Sequence, residues 1–133
     1  MGLITDDFTQ VVKGAENLSE RITILAAHGG TDKPGWRGMT IAGLDDLKAD
    51  LADGELGNSN RSIQTVRNAS MGDPESLAFF LSYINKKYQY DRLFLIFIGH
   101  GQAYTGMLFD QNHGDDGLTI DDLTKGLGSW DID

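Results

Sequence analysis

His100 stands between Gly99 and Gly101 at the end of an almost wholly apolar run, residues 92–98, and His28 precedes Gly29 and Gly30 at the end of a second β-prone run, residues 21–27. A neutral imidazole can take a proton from a nucleophile near neutral pH and return it, so both histidines are candidate general bases. The flanking glycines would leave the ring open to a substrate and let backbone amides come close. The nucleophile itself is not evident. The chain has no cysteine, and Thr105, Ser129 and the other hydroxyls lack the Gly-x-Ser-x-Gly setting that activates a serine.

Metal chemistry is the alternative use of the same residues. Two histidines at neighbouring strand ends could share an ion with Asp110 or Asp115, although no spacing matches a zinc signature. The loop from Asp110 to Asp121 superficially resembles an EF-hand. Gly114, however, stands where the third oxygen ligand belongs and Asp115 where the glycine belongs. What is left is a generic calcium candidate in Asp110, Asp115 and Asp116, or simply a solvated turn, with His113 as a turn residue.

The elements that must carry these residues follow from periodicity and punctuation. Residues 92–98 have strand length and a β-branched and aromatic content that predict a strand buried on both faces, delivering His100 to the carboxyl edge of a sheet, where ligands bind in open α/β folds. Before it, Asp73 as N-cap, Pro74 at the first helical position and Glu75 at the positive end of the dipole open a helix. Leu77, Phe80, Leu81, Ile84 and Tyr88 give that helix one buried stripe, with Lys86 and Lys87 at its negative end. A short helix capped by Asp6 or Asp7 is predicted to Lys13 and a second over residues 44–51; Trp36 to Ile41 reads as one arm of a hairpin, residues 53–60 as loop and residues 62–68 as a half-exposed strand. Residues 104–110 read as another hairpin arm, and Thr119 caps a last helix through Leu123 and Leu127. Phe79, Phe80, Phe94 and Phe97 are assigned to the core, and residues 130–133 begin a further strand within which the sequence ends.

Composition narrows the partners. Twenty carboxylates against 11 Lys and Arg give a formal net charge of −9 in 133 residues, with the basic residues scattered. That argues against nucleic acid or an anionic membrane as partner. No stretch approaches the ~20 apolar residues of a membrane span, and the first residues lack the basic and apolar regions of a signal peptide. No phosphate-binding Gly-rich motif follows a strand, so nucleotide binding is unsupported.

Taken as a series, residues 68–80 (NASMGDPESLAFF), the apolar strand, His100-Gly101, Gly106-x-x-x-Asp110 and Gly117-Leu118-Thr119-Ile120-Asp121-Asp122-Leu123 resemble the clostripain family of cysteine peptidases, in the caspase-like clan. The resemblance is continuous from about Asn68 to Leu127, and looser from Gly14 to Ile41. It implies an α/β class domain, a caspase-like α/β/α sandwich with a mostly parallel sheet, incomplete in this chain. It also implies that His100 is the histidine of a His/Cys dyad and that the Gly101 amide helps to stabilise the oxyanion. The family's cysteine follows the next parallel strand, which here would begin at Trp130.

The expectation is therefore a single partial peptidase domain over residues 1–133, ending at the start of the cysteine-bearing strand. It would be the histidine-bearing, light-chain-like fragment of an endopeptidase that cleaves protein or peptide substrates after basic residues, inactive alone, and completed by the remainder of the protein or by a second chain. Family analogy also allows a calcium requirement and secretion. The competing expectation is a non-catalytic binding or scaffold domain built around the acidic loop. A further expectation is an unpaired sheet edge where the central strand is lacking.

Overall fold

The computed structural model describes residues 3–34, 36–54, 64–66, 68–102 and 105–128. Helix α1 (Leu3–Gly14) leads into strand β1 (Leu25–Gly29), which turns back through a short loop into β2 (Met39–Gly43). Gly30 takes φ +79° in that loop, and the amides of Gly30 and Thr31 reach the carbonyls of Gly38 and Trp36 at 3.2 and 3.1 Å. Helix α2 (Leu44–Ala52), strand β3 (Gln64–Val66) and helix α3 (Pro74–Lys87) follow, then β4 (Gly101–Gln102), β5 (Gly106–Asp110), β6 (Asp116–Leu118) and α4 (Ile120–Gly128).

Two helix starts show how local chemistry sets the frame. Asp73 accepts the Glu75 amide at 2.8 Å ahead of Pro74, the N-cap read from sequence. At α4 the cap is reciprocal: the Asp122 amide donates to the Thr119 hydroxyl oxygen at 3.1 Å, while the Asp122 carboxylate accepts from the Thr119 amide and hydroxyl. These bonds from the Thr119 hydroxyl and amide hold the Asp122 carboxyl below its ordinary range, with Lys125 adding a smaller pull.

The first sheet has order β1-β2-β3 and both its ladders are antiparallel. This corrects the expectation of a mostly parallel sheet. A strand followed within nine residues by its neighbour has no room for the crossover that parallel pairing needs. Alternation along β1 and β2 then separates two cores. Ala26 and Ala42 face Val12 of α1, Trp36 and Leu47 of α2, with Phe8, Leu44 and Leu51 at the margin. Leu25, Ala27 and Ile41 face Leu77, Phe80, Leu81 and Ile84 of α3, with Leu93, Leu95 and Leu123 packed against them. Helices thus cover both faces of the β1–β2 pair.

Residues 92–98 are the second correction. They form no strand among the described residues, and they are not buried on both faces. Leu93 and Leu95 pack on the α3 core, whereas Phe94 and Ile96 are 82% and 75% exposed and Phe97 36%. The reason is that neither a neighbouring strand nor a helix layer covers their outer side among the described residues. Phe79, Phe94 and Phe97 accordingly leave the core to Phe80.

The second sheet, β4-β5-β6, is a small antiparallel unit that follows this segment. Among the described residues no helix is long and apolar enough to cross a membrane. The predicted loop over residues 53–60 lies mainly, and the predicted strand from residue 130 wholly, outside the described residues.

Candidate functional site

His100 lies at the point where the extended segment passes into the second sheet. Its side chain is exposed, and its carbonyl accepts the Leu108 amide at 3.2 Å. Gly101 pairs with Met107 in the β4–β5 ladder, is also exposed, and would have open space around a Cβ. Beside both residues lies a groove of about 450 Å³ lined by Leu95, Ile96, Phe97, Gly99, Gly101, Met107 and Leu108. An open imidazole next to an apolar groove can exchange a proton with a group held there.

β5 is irregular where it frames this histidine. Met107 pairs with Leu118 and Asp110 with Asp116, so Leu108 and Phe109 together oppose Gly117 alone, a β-bulge. Leu108 has φ +56°, in the left-handed region that a residue with a Cβ rarely occupies.

The far end of β5 is fixed by Asp110, a residue without solvent exposure. Its Oδ2 accepts the Met71 amide at 2.8 Å, and its Oδ1 accepts the Asn112 amide at 2.8 Å and lies 3.2 Å from Nδ1 of His113. The Gln111 amide donates to the Gly30 carbonyl at 2.9 Å, bringing the end of the β1–β2 hairpin to the same place. Ser70 donates to Asp116 at 3.2 Å, and Asn112 donates to Asp32 at 2.8 Å. Gly72 packs so closely on β6 that a Cβ there would stand 2.3 Å from the Asp116 carbonyl oxygen. The segments around Gly30, Met71 and Asp110 are thereby gathered at the end of β5, the Met71 amide on the Asp110 carboxylate and the Gly30 carbonyl on the Gln111 amide.

That arrangement bears on calcium. Both Asp110 oxygens serve backbone amides, Asp115 and Asp116 are exposed, and among the described residues no three His, Asp or Glu side chains are grouped as a metal site requires. The geometry of the three aspartates does not fit a calcium cradle of six to eight converging oxygens. His113, read as a turn residue, lies in the 3₁₀ turn Gln111–His113 and leans on Asp110.

His28 is in a different setting from His100. It belongs to β1 and is buried, with the Trp36 ring 4.6 Å and the Phe8 ring 6.0 Å from its own, centre to centre. Nδ1 has no hydrogen-bond partner among the described residues. Burial lowers its pKa to about 4, against a smaller upward pull from Asp50. A ring enclosed between two aromatic side chains is not placed to share an ion with an exposed His100.

The structure therefore keeps His100 and Gly101 together at a groove and separates them from His28. Sequence reasoning missed the two residues that frame the site, Leu108 and the structural use of Asp110. A polar turn with Asp at its first position and Gly114 later signals an Asx-type turn, but not the distant Met71 amide. Nothing in the sequence marks a leucine with positive φ.

No curated protein and no solved structure matches the chain. A family model described as the clostripain family matches residues 2–132, essentially the whole chain, and the protein belongs to the clostripain family.

Proposed function

We propose that this chain is the histidine-bearing part of a clostripain-type cysteine endopeptidase with a caspase-like architecture, and that His100 acts in it as general base and acid. Family membership supports cysteine-peptidase chemistry on a protein substrate. The observation that carries the residue assignment is that His100 is exposed between Gly99 and Gly101, both of which line an apolar groove, while His28 is enclosed in the core.

In the complete domain a cysteine thiol gives its proton to His100, the thiolate attacks the scissile carbonyl, and the imidazolium returns the proton to the leaving amine. The Gly101 amide would stand near the developing oxyanion. The cysteine belongs to a segment other than residues 1–133, because the chain has none. The exposed side chains of Phe94 and Ile96 leave room beside His100 for a further segment to pack. The specificity that fits this reading is cleavage after Arg or Lys, which suits an acidic protein.

The 133-residue chain is expected to show no hydrolysis of Arg or Lys amide substrates. The complete gene product is expected to hydrolyse them and to lose at least a hundredfold in kcat/KM on His100→Ala, a loss of the size that general acid–base catalysis contributes. Turnover by the 133-residue chain alone, or full activity of the His100→Ala enzyme, would sink the reading.

A further inference from the structure

We propose that Leu108, held in a left-handed conformation at the β5 bulge, is the positioning residue for His100. The strand could run in register from Met107 to Asp110; instead two residues, Leu108 and Phe109, occupy the place opposite Gly117. The Leu108 amide donates to the His100 carbonyl at 3.2 Å, continuing the β4–β5 register one pair beyond Gly101–Met107. The Leu108 side chain lies over Gly99, whose Cβ, if it had one, would stand 2.8 Å from Leu108 Cδ2. The residues before and at the histidine are thus gripped from one side by a single residue, through one hydrogen bond and one packing contact.

The conformation runs against residue preference. A bulge whose first residue is left-handed ordinarily has glycine there. The other non-glycine residue with positive φ, Asp115 at +58°, is of a type that tolerates this region, whereas leucine is not. Glycine at position 108 would relieve the backbone but remove the side chain that covers Gly99 and lines the groove. Strained residues of this kind cluster at functional sites, where the surrounding structure holds them. The retained leucine is explained by what its side chain does for the His100 segment.

This inference rests on His100 being the working histidine, but its test does not use hydrolysis. The 133-residue chain is labelled for NMR and compared with Leu108→Gly and Leu108→Asn, the second of which keeps a side chain able to adopt positive φ. Thermal unfolding is followed in parallel. The expected result for Leu108→Gly is a midpoint held or raised, together with broadened or shifted Gly99, His100 and Gly101 signals and at least tenfold faster exchange of the residue 108 amide. Leu108→Asn is expected to fall between. A residue that served only stability would behave in the opposite way. His100 signals that superimpose on wild type in both variants, or a midpoint that falls by several degrees in both, would overturn the proposal. An inactive complete domain would instead count against the peptidase reading and leave this result standing.

Discussion

Asp110 and Met71, 39 residues apart in sequence, are joined by a 2.8 Å bond from the Met71 amide to a carboxylate with no solvent exposure. The same carboxylate accepts the Asn112 amide and meets His113, so its removal strands two amides at once. Asp110→Ala is expected to cost about 3 kcal/mol, since charge-assisted bonds contribute ~1.5–3 kcal/mol each and an abandoned buried donor adds its own penalty. Asp110→Asn, which keeps one acceptor oxygen, should cost about 2 kcal/mol on the same grounds. Urea unfolding of the purified variants measures both; a loss below 1 kcal/mol for the alanine variant would contradict the geometry.

Acid should weaken the fold through His28. Its folded pKa is about 4, below the 6.5 of an exposed histidine, so the unfolded chain takes up a proton first as pH falls. The contribution is fully present above pH 6.5, declines between 6.5 and 4, and levels off below that. At ~1.4 kcal/mol per pH unit the loss comes to roughly 3 kcal/mol. Unfolding free energies from pH 7.5 to 4, for wild type and His28→Phe, should differ in slope across that window, the variant being flatter. Trp36 fluorescence gives a second view, because its ring lies 4.6 Å from the imidazole.

Residues 92–98 should divide sharply under mutation. Leu95 packs on the α3 core and Ile96 is 75% exposed. Leu95→Ala should therefore cost about 2 kcal/mol, toward the lower end for a leucine only part-buried. The pair Phe94→Ser and Ile96→Ser should stay within about 1 kcal/mol of wild type. The serine pair should also lower concentration-dependent association in sedimentation experiments, because it removes exposed apolar side chains from an unpaired edge.

Gly72→Ala tests the contact between the loop before α3 and β6. A Cβ there would stand 2.3 Å from a backbone oxygen that cannot rotate away. Overpacking of this sort costs about 1–3 kcal/mol. The Met71 and Asp116 amide signals should move together in the variant, and a wild-type spectrum would refute the contact.

Helices α2, α3 and α4 and the family were legible in the sequence because their signals are local or serial, whereas α1 starts at Leu3, ahead of the Asp6 or Asp7 expected to cap it. Asp73-Pro74-Glu75 defines α3 within three residues, Thr119 and Asp122 cap each other across one turn, and the histidine motif sits in an ordered series. Strand direction was only partly legible: the hairpin arms at residues 36–41 and 104–110 pointed to antiparallel pairing, while the sheet as a whole was expected to be mostly parallel. Whether β1 meets β2 in parallel or antiparallel fashion depends on how the chain turns at Gly30, and hydrophobic content says nothing of it. The exposure of Phe94 and Ile96 was equally hidden, since burial belongs to whatever neighbours a strand has. His28 and His100 share the same strand-histidine-glycine pattern, and only the rings of Phe8 and Trp36 set them apart. The cluster around Asp110 needed three distant segments to be placed together.

The carboxylate at the end of β5 also bears on the order of folding. The hairpins of the second sheet close over a few residues and can form early, as local structure does. The bond from Met71 to Asp110 and that from Asn112 to Asp32 span 39 and 80 residues and must wait until the first sheet and α3 are in place. Docking of the second sheet is then a late event, and its release an early one on unfolding. Hydrogen exchange should find residues 101–118 opening as a unit, at a lower free energy than β2 and α3, so that the His100 region can come apart and close again while the core remains intact.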